Sequence, residues 1–237
     1  MIERVEQLLE RVEKPARYTG SEMNTEVKPI GETDISFAFC FPDTYEVAMS
    51  HLGMKILYSI INALPYAVCE RVCMPWVDML EGMKKEGIPL FSLESRTPLH
   101  RFDIVGFTLQ YEMSYTNILE MLSLGGVPVK ASERGDSDPI VVAGGPCASN
   151  PEPLHAFIDA FMMGDGEEVI VEVIDTLNDC KKQHLPRQER LKKLAGIEGV
   201  YVPGLYLATY NEDGTLRSFT PTDPAAPATV RKRFVRD

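Results

Sequence analysis

The sequence lacks an apolar run long enough to cross a bilayer, and its N-terminus lacks the apolar core of a signal peptide. Its five cysteines are an odd, widely spaced set in a chain of 237 residues, so they do not indicate a disulfide framework. We therefore expect a cytoplasmic, reducing setting and no membrane partner.

Basic residues are outnumbered, with 24 Lys and Arg against 35 Asp and Glu and a formal net charge of -11. Such a surface repels phosphate backbones, which disfavours nucleic-acid binding by this chain alone. The sequence also lacks the G-x-S-x-G, P-loop and H-E-x-x-H motifs. Hydrolase and NTPase functions are therefore without support.

Strand-like apolar runs alternate with helical patterns along most of the chain. The runs are "ISFAFCFP", "AVCERVCMPW", "DIVGFTLQ", "PIVVAGGP" and "AFIDAFMMGDG". This alternation predicts an α/β fold with a Rossmann-like, doubly wound, mostly parallel sheet and flanking helices. A C-terminal β-hairpin extension is predicted after it, with a turn at residues 211–214. Weaker patterns at 88–95 and 127–133 predict two short extra strands.

The same patterns divide the chain into four parts. Residues 1–33 are predicted as an N-terminal helix over 2–13 and a lead-in, and 34–186 as the Rossmann-like domain. Residues 187–221 are the helix and hairpin extension. The Pro/Ala-rich residues 222–237 are predicted as a linker that ends in four basic side chains, Arg231, Lys232, Arg233 and Arg236.

In a doubly wound sheet the ligand lies beyond the carboxyl ends of the strands, where the strand order reverses. Glycines there admit close approach of a ligand, although ordinary turns explain them equally well. Gly106, inside its strand, is predicted to lie away from this rim, whereas Asp43 is predicted to lie near it. The predicted cofactor-binding residues are Pro42, Tyr45, Glu46, Thr108, Gln110, Gly144, Gly145, Pro146, Gly164, Gly166 and Glu167.

Four segments occur in a familiar order: "FPDTYEVAMSHLGMKILY", "DIVGFTLQYEMSYTNILEML", "VVAGGPCASNPEPL" and "DAFMMGDGEEVIVEV". Together they resemble the N-terminal cobalamin-binding-like domain of B12-type radical SAM proteins, in an uncharacterised bacterial branch. The resemblance covers roughly residues 35–185. It implies that a radical SAM barrel follows this chain, cleaves S-adenosylmethionine reductively and acts on an unknown substrate. That downstream domain is the partner that the resemblance implies.

The barrels of this family hold a [4Fe-4S] cluster on C-x3-C-x2-C. Cys69 and Cys73 match the first spacing, but the third position is Trp76, which cannot ligate iron. The resemblance therefore places the cluster and S-adenosylmethionine in the downstream barrel alone. Cys69 and Cys73 are interpreted as ordinary thiols.

The resemblance leaves cobalamin binding open. Many cobalamin domains carry D-x-H-x-x-G, but Met49 stands two residues before His51 and Gly53 follows at the wrong distance. A histidine ligand to cobalt is therefore not expected. One alternative is a degenerate Rossmann-like docking or substrate-recognition module without a cofactor. A free-standing nucleotide-binding enzyme has less support, because no G-x-G-x-x-G opens the first helix. Cys147 would be reactive only if a helix terminus lowered its pKa, and we expect it to be inert.

Overall fold

The computed structural model describes residues 1–20, 22–23 and 25–235, which form a six-stranded sheet flanked by helices and a two-stranded hairpin. No helix in these ranges has the length and apolarity needed to cross a bilayer. The strands are β1 Ile35–Phe41, β2 Ala67–Cys73, β3 Ile104–Thr108, β4 Ile140–Gly144, β5 Ala160–Met162, β6 Val200–Tyr201, β7 Tyr206–Tyr210 and β8 Leu216–Pro221. The α-helices are α1 Ile2–Leu9, α2 Tyr45–Ser50, α3 Leu52–Ala63, α4 Val77–Glu86, α5 Tyr115–Leu124, α6 Gly166–Lys182 and α7 Arg187–Ala195.

The large sheet has the strand order β2-β1-β3-β4-β5-β6. Its first five strands are parallel, and β6 pairs antiparallel with β5. The order 2-1-3-4-5 is one of the common doubly wound arrangements, with the reversal between β1 and β3. The predicted mostly parallel α/β fold and the predicted β7–β8 hairpin are both confirmed.

Alternation along β1 explains why helices cover both faces of the sheet. All seven residues of β1 are buried. Phe37 and Phe39 pack in the core that includes residues of α3, α6 and α7, whereas Ala38 and Cys40 pack in the core beneath α1, α4 and α5. Because neighbouring strand residues point to opposite faces, one continuous apolar run supplies both cores.

Several boundaries differ from the sequence-based predictions. Helix α1 ends at Leu9 and not at residue 13, as predicted. The runs at 88–95 and 127–133 do not form strands. In the first, Phe91 makes only an isolated bridge with Pro98, and the second ends in a 3₁₀ turn. Leu90 and Phe91 are buried against helix side chains, so their apolar character reflects packing and not strand pairing.

The predicted extension and linker both contact the main domain. Strand β6, in the predicted extension, joins the large sheet, and the segment from Thr222 onward bonds to it at several points. Backbone nitrogen of Thr222 donates to the Leu205 carbonyl at 2.8 Å, and the Tyr206 hydroxyl donates to the Pro227 carbonyl at 2.7 Å. Arg233 then forms a parallel bridge with Gly164 beyond β5. Arg236, predicted as part of the basic run, lies outside the described residues.

Candidate functional site

A cavity of about 440 Å³ lies on the α3–α6 face of the sheet, at the carboxyl ends of β1, β3, β4 and β5. Phe37, Phe39 and Met162 line it from the sheet. Leu57 and Ile61 of α3 and Ile170 of α6 line it from the helices. The cavity adjoins the reversal in strand order between β1 and β3, where ligands bind in sheets of this type.

The cavity exists because the central strands carry little side-chain volume at this point. Gly106 of β3 lies in register between Phe39 of β1 and Val142 of β4. In the next row on the same face, Thr108 lies beside Gly144. The ring of Phe37 extends over Gly106, whereas the space above Gly144 is open to the cavity.

Gly106 was predicted to lie inside its strand and away from the rim; it does lie inside β3, and it also lines the cavity. A Cβ atom at this position would stand 2.2 Å from Cζ of Phe37. The ring of Phe37 therefore extends over the backbone of β3. Glycine inside a strand marks such a close approach, and this signal was present in the sequence.

Most of the predicted rim residues do meet at this cavity. The residues that line it are Thr108, Gln110, Gly144, Gly145, Pro146, Gly164, Gly166 and Glu167. The other four, Pro42, Asp43, Tyr45 and Glu46, do not line it. The Pro42 carbonyl accepts from Nδ2 of Asn117, the Tyr45 hydroxyl donates to Glu22, and Glu46 pairs with Arg17 at 2.8 Å.

Tyr45 and Glu46 instead hold the N-terminal lead-in against the sheet. Burial, together with the hydrogen bond to the Glu22 carboxylate, raises the pKa of Tyr45 to about 12. Glu22 also pairs with Arg71 of β2 at 2.7 Å. Tyr45 and Glu46 therefore hold the lead-in in place and do not line the cavity.

The predicted glycines have different structural roles. Gly144 opens directly onto the cavity, where a Cβ atom would meet Met162 at an ordinary 3.4 Å. Gly145 has φ +106° and lies close to the loop after β3, so that an added Cβ would be 2.9 Å from the Leu109 carbonyl oxygen. At Gly166 an added Cβ would contact Leu57 of α3 at 3.3 Å, which indicates close helix packing.

The space above Gly164 is occupied by the backbone of the C-terminal segment. Its φ is +114°, and an added Cβ would lie 2.0 Å from the carbonyl oxygen of Arg233. This side of the cavity is therefore formed jointly by Gly164 and by the C-terminal segment that lies against it. Lys232 of that segment lines the cavity.

Polar groups are concentrated at the rim. Nε2 of Gln110 donates to Oγ1 of Thr108 at 2.6 Å. The other polar side chains that line it in the described part of the chain are His51, Ser149, Asp165, Glu167 and Lys232. An apolar interior with a few polar groups at its mouth is the usual form of a small-molecule site.

His51 lines the cavity but is engaged as a helix cap. Its Nδ1 accepts a hydrogen bond from the backbone nitrogen of Met54 at 3.1 Å, at the start of α3. A neutral ring that accepts at Nδ1 carries its proton on Nε2, and a protonated nitrogen has no lone pair for a metal. The ring lies beside Gly53, where a Cβ would be only 2.9 Å from Cε1 of His51.

Replacing His51 by alanine is expected to destabilise the fold by about 1 kcal/mol, because the Met54 amide loses its acceptor. Asparagine is a strong N-cap residue, so His51→Asn should keep most of the stability. Urea unfolding of both variants measures the difference. Equal stability of the alanine variant and the unmodified chain would contradict the capping role.

The cysteines do not provide a reactive group at the cavity. Cys147 follows Pro146. Desolvation raises the pKa of its thiol, and the neighbouring Glu112 carboxylate raises it further. Cys69 and Cys73 lie buried in β2, and burial raises the pKa of Cys73 to about 12. In the described ranges, no group of three or more His, Cys, Asp and Glu side chains is placed to hold a metal ion.

Sequence reasoning missed the apolar lining and Lys232. The alternating phenylalanines of β1 were a usable signal, because Phe37 and Phe39 share one face of a strand. The lining residues of α3 and α6 required knowledge of which helices cover that face. Lys232 gave no signal, since its position depends on the return of the C-terminal segment.

Residues 53–203 match the family described as radical SAM proteins, N-terminal. An uncharacterized protein of Methanocaldococcus jannaschii is 32% identical over 141 residues, which cover 58% of this chain and 26% of the relative. The chain thus spans about a quarter of the length of the curated relative that it matches. No solved structure matches this chain.

Proposed function

This chain belongs to the family of N-terminal domains of radical SAM proteins, and on that premise we propose that its cavity binds a cofactor of the cobalamin type. The observation that carries the proposal is the apolar cavity at the carboxyl ends of the strands, onto which the backbone of Gly144 opens without a side chain. Cofactor sites are commonly apolar clefts with a few convergent polar groups.

The lining fits separate parts of such a cofactor. The apolar walls from Phe39, Leu57 and Ile170 suit a flat apolar group lying against the backbone of Gly144. Gln110 and Thr108 offer hydrogen bonds to amide groups at the rim. When bound, cobalamin supplies a cobalt centre that accepts and donates a methyl group.

His51 does not fit the role of a ligand to cobalt, because its Nδ1 is engaged by the Met54 amide. We therefore propose a binding mode without a histidine ligand. In that mode His51→Asn leaves the visible spectrum of the bound corrin unchanged. A spectral shift in this variant would show that the imidazole ligates the metal.

For a longer protein that contains this chain, we propose reductive cleavage of S-adenosylmethionine in a radical SAM barrel with its own [4Fe-4S] cluster. The substrate is not specified by the residues of this chain. Exposed apolar side chains follow the carboxyl ends of β1, β2 and β3, as expected of a surface that another domain covers. They are Leu52, Trp76, Tyr111 and Met113.

The same exposed side chains favour a second candidate function. In that alternative the chain is a docking or substrate-recognition module, and the cavity holds no cofactor. Docking would then rest on the apolar edge alone, and filling the cavity would leave the activity of the longer protein unchanged.

Titration of the purified chain with hydroxocobalamin, followed by desalting and a visible spectrum, separates the two candidates. The cofactor proposal predicts a retained corrin spectrum at about one equivalent, as expected of a single cavity. Loss of the corrin from this chain and also from the longer protein would overturn the proposal and favour the docking module.

A further inference from the structure

Residues 230–235, here named the strap, run beside the cavity and contribute Lys232 to its lining. The backbone nitrogen of Arg233 donates to the Met163 carbonyl at 2.9 Å, and the Asp165 nitrogen donates to the Arg233 carbonyl at 3.1 Å. The Val235 nitrogen donates to the Asp165 carboxylate at 3.0 Å. The strap is thus bonded to the sheet edge beyond β5.

The surface beneath the strap is shaped to receive it. Gly164 and Gly199 both have positive φ, and added Cβ atoms would stand 2.0 Å from the Arg233 carbonyl oxygen and 3.0 Å from its Cβ. The Arg233 guanidinium bonds Glu168 at 3.0 Å and Glu172 at 2.6 Å. These acids lie one turn apart on α6, so a single side chain secures the strap to this helix.

Lys232 and Arg233 of the strap contact different parts of the protein. In an extended segment adjacent side chains point to opposite sides. Arg233 reaches α6, whereas Lys232 lines the cavity. Upstream, Ala226 is buried and the Pro227 carbonyl accepts from the Tyr206 hydroxyl, which fixes the chain before the strap.

We infer that the strap is a releasable wall that closes the cavity, with Arg233 as its latch. A ligand enters when the Arg233 contacts to α6 open and the segment after Pro227 swings away. The inference concerns access to the cavity and holds for any ligand. Its test therefore uses no cofactor, so its failure is distinct from failure of the proposed function.

The test measures alkylation of a cysteine placed inside the cavity, in a Thr108→Cys, Cys147→Ser background. Thr108 lines the cavity and is buried, so its replacement reacts only when the cavity opens. Arg233→Glu should speed this reaction about tenfold, because two ion pairs become repulsions. Arg231→Glu makes the same charge change on the neighbouring exposed arginine and should leave the rate unchanged.

Two further measurements separate latch release from general loss of stability. The double variant Arg233→Glu, Glu172→Arg reverses one ion pair and should restore slow alkylation. The buried cysteines of the chain, among them Cys69 and Cys73, report global opening and should stay unreactive. An unchanged Thr108→Cys rate in Arg233→Glu, an equal rise at the buried cysteines, or no rescue by the reversed pair would overturn the inference.

A second variant displaces the strap by steric contact and not by a change in charge. Gly164→Ala places a Cβ where the Arg233 carbonyl now lies, so the strap must move away. Faster alkylation of Thr108→Cys is expected without any change in charge. Slow alkylation in this variant, with the fold intact by circular dichroism, would show that the strap does not control access.

Discussion

Replacing Gly144 by leucine is expected to weaken hydroxocobalamin binding roughly 100-fold, the effect of overpacking a filled site. Gly144 has no positive φ, and its added Cβ meets Met162 at an ordinary contact distance. The backbone therefore accepts a side chain, and the remaining atoms of leucine extend into the cavity. Equilibrium dialysis against the cofactor measures the loss.

Gly204→Leu is the matched control, because an added Cβ at Gly204 meets no atom within 4 Å. This variant should bind the cofactor like the unmodified chain. Gly145 and Gly164 are poor sites for the same test, since their positive φ and close backbone neighbours would strain the fold. Undiminished binding by a folded Gly144→Leu variant would place the ligand elsewhere.

Asp159→Ala is expected to lower the free energy of unfolding by about 3–5 kcal/mol, the usual cost of removing one partner from a buried ion pair. The Asp159 carboxylate accepts from Arg134 at 2.9 Å, from Arg187 and from the Val141 nitrogen at 2.7 Å. All three charged side chains are buried. Alanine leaves two guanidinium groups in the interior without their shared carboxylate.

This cluster joins three parts of the chain at the start of β5: the loop before β4, the residue before β5 and the first residue of α7. Urea unfolding followed by circular dichroism measures the change. Asp179→Ala, on the exposed side of α6, is the control and should change stability by less than about 0.5 kcal/mol. A loss below about 1 kcal/mol in Asp159→Ala would contradict a stabilising role for the cluster.

The elements that sequence patterns predicted well are those fixed by local physics. The continuous apolar run of β1 is buried on both faces, as expected of a central parallel strand. Helix α4 ends at Glu86, and Gly87 caps it with a φ of +60°, a conformation that glycine favours. The acids Glu167 and Glu168 lie in the first turn of α6, where the helix dipole favours them.

The elements that the sequence could not reveal depend on partners distant along the chain. Strand β6 has only two residues, and it exists because β5 offers a free edge. The strap follows a Pro/Ala-rich stretch, whose composition is typical of a linker. Gly164 was predicted to contact a ligand. Its conformation instead allows the close approach of Arg233, which lies 69 residues later in the chain.

The residues of the candidate site also divide into those that local patterns indicated and those that depend on partners distant along the chain. Gly144, Thr108 and Gln110 were identifiable because strand ends in a doubly wound sheet share one edge. The inclusion of Gly106 depended on strand register, and the exclusion of Tyr45 depended on its hydrogen bond to Glu22 of the lead-in. The glycine inside β3 was a local signal, but the partner of Tyr45 could not be identified from a local pattern.

The most direct test of the cavity as the cofactor site is NMR of the chain labelled with ¹³C at its methionine methyl groups. Met162 lines the cavity, whereas Met79 and Met121 are buried on the opposite face of the sheet. During hydroxocobalamin titration the Met162 resonance should change in proportion to occupancy while the other two stay fixed. Retention of the corrin with an unchanged Met162 resonance would contradict the assignment of the cavity as its site.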